Sequence, residues 1–439
     1  MHWGLFYLYA MRVLKLLLPV LLIVCKVSAQ NDDYVNSNVL RYDDFIYKGT
    51  IATVQFHESS WDQAAPIIAL NSAQLLTLAF DDLDVQQKQY TIGFVHCNAD
   101  WTPSSLMQGE YLGGNTELNI LNFQFSQNSM QTYAHYAITF PQQGLQFTKS
   151  GNYLLLVFVD GNREDVVITR RFMVIDDKLQ FAATIRQSMG AGQFSKQQLD
   201  FSINSGNYDI TNPYKDMAVL LMQNNRWDNA RYIQPTFVNG KELSFSLDDK
   251  SCFNGGNEFR YFDCRSVRFL TERVKDIYRD KDMKNHVVLV TDEFRSTKPY
   301  LYYNDLNGAY QIRNSETSGD MDVMADYVYV DFFLACATPL EKGNMYVMGK
   351  LTDWRMNPRS KMTYNDIKLG YEARLYLKQG YYNYMYVQST DGKSAGDETQ
   401  TEGSYWDTEN DYYILVYHRK FGGQYDQLIG YKKINTLRR

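Results

Sequence analysis

The sequence lacks an excess of charge of either sign. Its 439 residues carry 44 Lys and Arg against 50 Asp and Glu, a formal net charge of -6, without a basic cluster. Nucleic acids and anionic membrane surfaces usually require a basic face on the protein that binds them, so neither is an expected partner. Proline is scarce, with 9 residues, whereas aromatic residues make up 15% of the chain. This composition favours strands over disorder, because aromatic side chains pack well on pleated surfaces.

The sequence also lacks the common motifs of catalysis. It has no Gly-x-Ser-x-Gly, no His-Glu-x-x-His and no Walker loop, and its histidines are scattered without metal-ligand spacing. "GAGQFSK" (Gly190–Lys196) has only two glycines of a dinucleotide fingerprint and lies outside any strand–helix pattern. The acidic stretch "FDDLD" (Phe80–Asp84) is typical of a solvated turn. We therefore predict no catalytic, cofactor-binding or metal-binding residues, and no enzyme activity.

No Cys-x-x-Cys pair is present, so zinc and thioredoxin-like chemistry are not supported. Four cysteines follow the N-terminal region, and an exported protein is permitted disulfides. Cys252 and Cys264 could close one hairpin-sized loop as a disulfide. The alternative, which we prefer, is that all four cysteines are buried free thiols on strands.

A long apolar run occurs only near the N-terminus. Arg12 and Lys15 precede "LLLPVLLIVC", and "VSA" ahead of Gln30 supplies small residues at the expected cleavage position. The run is too short for a stable membrane span. We predict a signal peptide over residues 1–29, with Met11 as the better start, followed by an exported, soluble chain with no direct membrane span.

Period-two patterning divides the rest of the sequence into three predicted blocks, since 439 residues exceed what one core usually supports. The predicted ranges are 30–178, 179–318 and 319–439. We predict an all-β fold of tandem β-sandwich domains, with an immunoglobulin-like first block and an early-set third block. In the first block, "GNYLLLVFVDGN" and "DVVITRRFMVID" predict a hairpin across Asp160–Gly161. On the second strand of that hairpin, one face would carry Val166, Ile168, Arg170, Phe172 and Val174.

The second block contains another predicted hairpin, which turns at Asn239–Gly240 in "FVNGKELSFSL". "RVKDIYRDKDMK" is almost entirely polar, and we interpret it as an exposed excursion. In the third block, "DYYILVYHR" is predicted to close the sheet.

The third block resembles the early-set domains related to glycogen-binding modules, through "VMGKLTDW" and "YEARLYLKQGYYNYMYV". This resemblance places Trp354 at the family's sugar-stacking position. The lysine that would hydrogen-bond the glucan is replaced by Met385, and the turn with Asp391–Gly392 has no second tryptophan. A periplasmic carbohydrate-binding protein that uses this domain is the alternative function, although carbohydrate is not the expected partner.

"GGNEFRYFD" places two charged residues on one strand face, with Phe259 and Tyr261 opposite. One interpretation is a salt-bridged outer face over an aromatic core, and the other is a contact surface with Arg and Tyr as anchors. Tyrosines alternate along one face of "YYNYMYV" in the same way. The candidate partner-interface residues are Glu258, Arg260, Trp354, Tyr382 and Tyr384.

Taken in order, five groups of residues resemble the type IX secretion system plug protein family: "HCNADWTPSSLMQGEYLGG", "YAHYAITFP" followed by "SGNYLLLVFVD" and "TRRFMV", "MQNNRWDNA", "GGNEFRYFD" and "EGSYWDTENDYYILVYHR". The resemblance covers nearly all of the chain beyond the signal peptide. It implies a periplasmic, non-enzymatic protein at the inner face of the outer membrane. Such a protein would bind the periplasmic opening of the outer-membrane translocon barrel and close its channel when no substrate is engaged.

Overall fold

The computed structural model describes residues 39–246, 249–389 and 395–438, and strands dominate these ranges. The predicted all-β class with tandem β-sandwiches is confirmed. None of the helices within these ranges combines the length and apolarity that a membrane crossing requires. The predicted signal peptide with Met11, and the Asp391–Gly392 turn, lie outside the described residues.

The first unit comprises residues 39–176 and contains the helix α1 (Gln108–Tyr111). Its strands are β1 (Phe45–Ile46), β2 (Ile51–Glu58), β3 (Ile67–Ala69), β4 (Leu76–Asp82), β5 (Tyr90–Cys97), β6 (Leu112–Gly114), β7 (Glu117–Asn119), β8 (Asn122–Phe125), β9 (Ala134–Phe140), β10 (Leu145–Phe147), β11 (Gly151–Val159) and β12 (Val166–Ile175). One sheet has the order β1-β12-β11-β5-β7, with β3 beside β12, and the facing sheet has the order β2-β4-β9-β8.

The predicted hairpin of the first block is confirmed as β11–β12. Asp160 and Gly161 have φ values of 51° and 71°, as a tight hairpin turn between twisted strands requires. Tyr153 and Leu155 enter the core of the first unit, whereas Leu154 and the other residues of the opposite face enter a second cluster. Because both faces are buried, the strand is an almost continuous apolar run.

The remaining elements include the helices α2 (Pro213–Asp216) and α3 (Met321–Met324). The strands are β13 (Gln180–Gln187), β14 (Lys196–Asn204), β15 (Met217–Gln223), β16 (Arg231–Ile233), β17 (Phe237–Asn239), β18 (Glu242–Phe245), β19 (Cys252–Asn254), β20 (Arg260–Asp263), β21 (Val274–Arg279), β22 (Asn285–Leu289), β23 (Tyr310–Ile312), β24 (Tyr327–Ala335), β25 (Met345–Met348), β26 (Thr363–Asn365), β27 (Gly370–Lys378), β28 (Gly380–Gln388), β29 (Asp411–His418) and β30 (Gln427–Asn435).

The second unit combines two separate stretches of the chain, 179–254 and 405–438. Its sheets have the orders β13-β14-β18-β17, with β19 beside β14, and β16-β15-β29-β30. The hairpin predicted at Asn239–Gly240 is confirmed as β17–β18. The prediction that "DYYILVYHR" closes the sheet of the third block is wrong, because this segment is β29, which pairs with β15 and β30. Tyr412 and Ile414 face the core of the second unit and Leu415 faces the first unit, so β29 is buried on both faces.

The third unit comprises the described residues of 257–404. Its sheets have the orders β20-β28-β23, with β25 beside β28, and β21-β22-β24-β27-β26. The stretch interpreted as an exposed excursion contains β21 and the turn that leads into β22, with which β21 pairs. Its polarity follows from the position of β21 at the sheet edge, where four of its six side chains are exposed. The ranges 179–318 and 319–439 stay a prediction as domain limits. Strands of one range pair with strands of the other, as β15 does with β29 and β22 with β24.

The four cysteines of the described residues are free thiols. The possible disulfide is not formed, because Cys252 lies in β19 of the second unit and Cys264 follows β20 of the third. Burial raises the pKa of the Cys264 thiol to about 12, so that it is an inert core residue.

Candidate functional site

The two tyrosines predicted as interface residues lie inside the third unit. Tyr382 is 2% exposed and stacks on Phe262 with ring centroids 5.2 Å apart. Tyr384 is fully buried, and its hydroxyl donates to Asp292 Oδ2 at 2.6 Å. In this fold these side chains support the core and offer no exposed surface.

Arg260 is also buried, at the centre of an ion-pair network. Its guanidinium donates to Glu402 Oε1 at 2.9 Å and to Asp292 Oδ1 at 2.7 Å. Arg295 adds a second cation on Glu402 Oε2 at 2.7 Å. Burial alone would raise the pKa of Glu402, but Arg260 and Arg295 lower it. The network fastens β20 and the segment after β22 to the residues that follow β28.

Glu258 does not share partners with Arg260, although the two were predicted to lie on one strand face. Glu258 Oε1 accepts from the Tyr300 hydroxyl and from Glu409 N–H. Glu258 Oε2 has no hydrogen-bond partner among the described residues. Burial raises the pKa of Glu258 and raises that of the neighbouring Asp305 to about 7. Buried Glu258 and the partly buried Asp305 and Glu409 therefore form an acidic cluster between the second and third units.

Trp354 lies where the second and third units meet. The Arg226 guanidinium of the second unit sits 4.8 Å from the ring centroid, and Phe259 meets the ring edge-on at 5.7 Å. Gly308 lies directly against the indole, and the Cβ of any larger residue there would overlap the ring. One face of the indole is thus taken by Arg226. Met385, at the expected glucan-lysine position, is a core residue packed near it.

The first and second units share an apolar seam, which we define as the buried cluster between the outer face of β11 and the faces of β15 and β29 that point away from the core of the second unit. Leu154, Leu156 and Phe158 pack there with Leu220 and Leu415. The seam is edged by Arg171, whose guanidinium lies 4.4 Å from the ring centroid of Trp101 and 4.9 Å from that of Trp227. Trp101 is itself buried there.

The first and third units share a polar seam, which we define as the contacts of β2, β4 and β12 with β24, β27 and the loop after β25. Asp81 is its most connected residue. It accepts from Lys378 Nζ at 2.6 Å, from the Tyr327 hydroxyl at 2.7 Å and from His135 Nδ1 at 2.7 Å. The prediction of a solvated turn at "FDDLD" is wrong here, because these donors allow Asp81 to be fully buried, and Lys88 and the Tyr90 hydroxyl do the same for Asp82.

A second group of ion pairs extends the polar seam. Arg170 Nη2 lies 3.0 Å from Asp353 Oδ2, and Arg355 Nη2 lies 2.5 Å from Asp43 Oδ2. Sequence reasoning did not assign these residues to a site. A signal was present, because Arg170 occupies one place in an otherwise apolar series of alternating residues.

A cavity of about 210 Å³ lies where all three units meet. Lys350 lines it, and desolvation lowers the pKa of this amine. Within the ranges 39–246, 249–389 and 395–438, no three His, Cys, Asp or Glu side chains are grouped to hold a metal ion. The arrangement is that of a junction that fixes three sandwiches against each other.

The comparisons with known proteins agree with this architecture. A family model described as "Type 9 secretion system plug protein 1st domain" matches residues 51–176, which cover most of the first unit. A crystal structure of a hypothetical protein from Parabacteroides merdae is 33% identical, with a TM-score of 0.86, over 90% of this chain and 100% of that chain.

The BSP domain of a biofilm-associated protein is 7% identical over 91% of this chain and 61% of that chain. Its TM-score of 0.18 is too low to indicate a shared fold. No curated protein matches the chain. The plug-domain match, supported by the order of the five sequence groups along the chain, leads to one conclusion: the chain belongs to the type IX secretion system plug protein family.

Proposed function

We propose that the protein binds the periplasmic opening of the type IX outer-membrane translocon barrel and closes its channel when no substrate is engaged. Family membership supports a role in type IX protein secretion. The periplasmic location, the barrel as partner and the closing of the channel are the parts that we propose.

The observation that carries the proposal is that the three sandwiches are locked together. An apolar seam joins the first unit to the second, and buried ion pairs join the first unit to the third. Interfaces within a chain usually permit domain motion unless they are large and apolar. A body that must close a wide channel has to resist deformation, and this locking supports such a role.

The proposed role requires no catalysis. The network around Arg260 consists of paired charges on buried strands, and its carboxylates are held by arginines. Asp305 and Glu258 have raised pKa values, which in a cleft would indicate an acid or base. Here they lie in a packed contact between units, and we interpret them as part of the structure.

Carbohydrate binding by the third unit is not favoured by the contacts of Trp354. Sugar stacking needs an open ring face and directional polar groups beside it. Arg226 covers one face of the indole, and the expected lysine is the buried Met385. We expect no retardation of the protein on glucan affinity gels, and the same migration for Trp354→Ala. Retardation that Trp354→Ala abolishes would favour the carbohydrate function.

The partner is tested by purification of the tagged, full-length protein from outer membranes. We expect the translocon barrel to co-purify in an amount close to that of the protein. A preparation that contains the protein at normal level but no outer-membrane barrel contradicts the proposed partner.

Closure of the channel is tested in a deletion strain. Loss of the protein should make the outer membrane permeable to a large antibiotic, and deletion of the barrel as well should restore the barrier. Complementation with Asp84→Ala, a change at a partly exposed side chain, should restore the barrier like the unaltered protein. Unchanged permeability in the single deletion overturns the plug function.

A further inference from the structure

A groove runs along the polar seam, between the first and third units. Its cavity is about 430 Å³, within the range of sites that bind small molecules or short peptides. Residues 51–54 of β2 line one side, and residues 374–378 of β27 line the other. We call it the edge groove, because both lining segments belong to strands with an open edge.

The open edge of β27 follows from its pairing. The strand pairs with β24 along its whole length, but β26 covers only Gly370, Tyr371 and Glu372 on the other side. Residues 373–378 therefore have a strand neighbour on one side only. Open edges of this kind are a general hazard, because they can pair with another chain.

The pairing of β27 with β24 determines which main-chain N–H and C=O groups of β27 point away from β24. Gln379 N–H donates to Asp326 C=O at 2.7 Å, and Cys336 N–H donates to Leu369 C=O at 3.0 Å. In an antiparallel ladder the direction of the main-chain groups alternates with each residue. Odd-numbered residues of β27 thus bond to β24, and Arg374 and Tyr376 direct their N–H and C=O groups away from it, toward the groove.

The β2 wall is shorter. This strand is the outermost of its sheet and pairs only with β4. Its register shifts between Ala52 and Gln55, and Thr53 there has a φ of 48°. The Tyr310 hydroxyl donates to the Val54 carbonyl at 3.4 Å. Such a bulge interrupts pairing, so β27 is the wall that can hold a strand.

One cation of the groove, Arg359, lacks a counterion. Arg374 is paired with Asp331, and Lys378 with Asp81. Lys350 lines the groove too, and the charge of Asp353 acts on it. Arg359, also in the lining, makes no ion pair with a described residue. Asp353, the acidic residue of the lining, is paired with Arg170. Arg359 therefore gives the groove a positive charge without a paired carboxylate among the described residues, in a chain whose net charge is -6.

We infer that the edge groove binds an extended, carboxylate-rich peptide segment of a partner protein. The segment adds a strand to β27 through the main chain of Arg374 and Tyr376, as in β-augmentation. Its carboxylates lie beside Arg359. This site does not depend on the plug function, since it rests on strand edges and charges of the chain itself.

The first experiment measures binding of a fluorescein-labelled peptide of alternating Val and Glu, about eight residues long, a usual strand length. The full chain should bind it with a saturable rise in anisotropy. A fully N-methylated version cannot donate main-chain hydrogen bonds, and a version with Lys for Glu reverses the charge. Each should bind at least about tenfold more weakly, the effect of a loss of about 1.4 kcal/mol.

Two variants locate the site. Arg359→Glu should weaken binding of the acidic probe by about fivefold or more at low salt. Lys342→Glu makes the same change of charge at an exposed lysine outside the groove, and it should alter binding less than twofold. Hydrogen exchange should show protection of the Arg374 and Tyr376 amides by the probe, with no change at exposed Ile367.

Three results each overturn the inference. They are the absence of saturable binding, equal affinity for the acidic and the N-methylated probes, and equal loss of affinity in Arg359→Glu and Lys342→Glu. Protection confined to a segment other than 374–378 would also refute it, since the peptide would then bind elsewhere.

Discussion

The two seams of the first unit differ in how they are built. Against the second unit, the hairpin β11–β12 presents Leu154, Leu156 and Phe158 to an equally apolar sheet. Against the third unit, the same fold presents Asp81 and Arg170 to a lysine and an aspartate. The apolar seam is continuous, whereas the polar seam contains the edge groove.

This difference determines how each seam responds to change. An apolar contact loses stability in proportion to the surface and the cavity that a substitution creates. A buried ion pair adds little net stability when intact, but the loss of one partner leaves a charge without compensation. The polar seam is thus the more sensitive of the two to a single substitution, although it is the less tightly packed.

Asp81→Ala should have the largest effect, because it leaves the buried Lys378 ammonium without its carboxylate. We expect the free energy of unfolding, measured in urea, to fall by about 4 kcal/mol. Asp84→Ala removes a carboxylate from the same acidic stretch, but at a partly exposed position, and should change it by less than about 0.5 kcal/mol. Equal effects of the two substitutions would refute the distinction.

Leu415→Ala tests the apolar seam. Leu415 is fully buried between the first and second units, so truncation should leave a cavity there and cost about 3 kcal/mol in the same urea titration. Ile367→Ala, at a side chain that is 95% exposed, is the matched control and should be close to neutral. A cost below about 1 kcal/mol would mean that the seam relaxes, contrary to a locked junction.

Asp305 provides a pH-dependent test at the contact of the second and third units. Burial raises the pKa of Asp305 to about 7, and Glu258 and Glu409 repel its charge. The unfolded chain releases this proton at a lower pH than the folded protein. The contribution of protonated Asp305 to the free energy of unfolding is therefore complete below about pH 4 and is lost as the pH rises toward 7.

Asp305→Asn should remove this contribution. We expect the decline in the free energy of unfolding between pH 4 and pH 7 to be smaller by on the order of 2 kcal/mol. Asp407→Asn changes an exposed aspartate two residues before Glu409 and should leave the decline unchanged. If Asp305→Asn shows the same pH dependence as the parent protein, Asp305 is not the source of that dependence.

The contrast between the seams also explains which features the sequence predicts. The hairpins at Asp160–Gly161 and Asn239–Gly240 were predictable, because turn chemistry and alternation act over a few residues. The position of β29 was not, because its apolar faces fit any buried sheet and its true partner, β15, is far away in sequence.

Buried charges escaped prediction for a related reason. Asp81 resembles a surface aspartate until Lys378, almost three hundred residues later, is placed beside it. Glu258 and Arg260 were recognised as unusual, but their burial depends on Glu409 and Glu402, from a distant part of the chain. Arg170 alone carried a local signal, as a charge in an apolar series.

Thr53→Val should have the smallest effect on the polar seam. Thr53 Oγ1 lies 2.6 Å from the Tyr327 hydroxyl, which donates its own proton to Asp81. Thr53 is therefore the donor, and its removal leaves only a hydroxyl lone pair unused. We expect a loss of about 1 kcal/mol or less in urea.

Tyr327→Phe sharpens this prediction, because it deletes the partner instead. That change removes a donor from buried Asp81 and leaves the Thr53 hydroxyl without its acceptor, so it should cost about 2 kcal/mol. If the two substitutions cost the same, the two hydrogen bonds do not run from Thr53 through Tyr327 to Asp81, and the polar seam depends on the Lys378 ion pair alone.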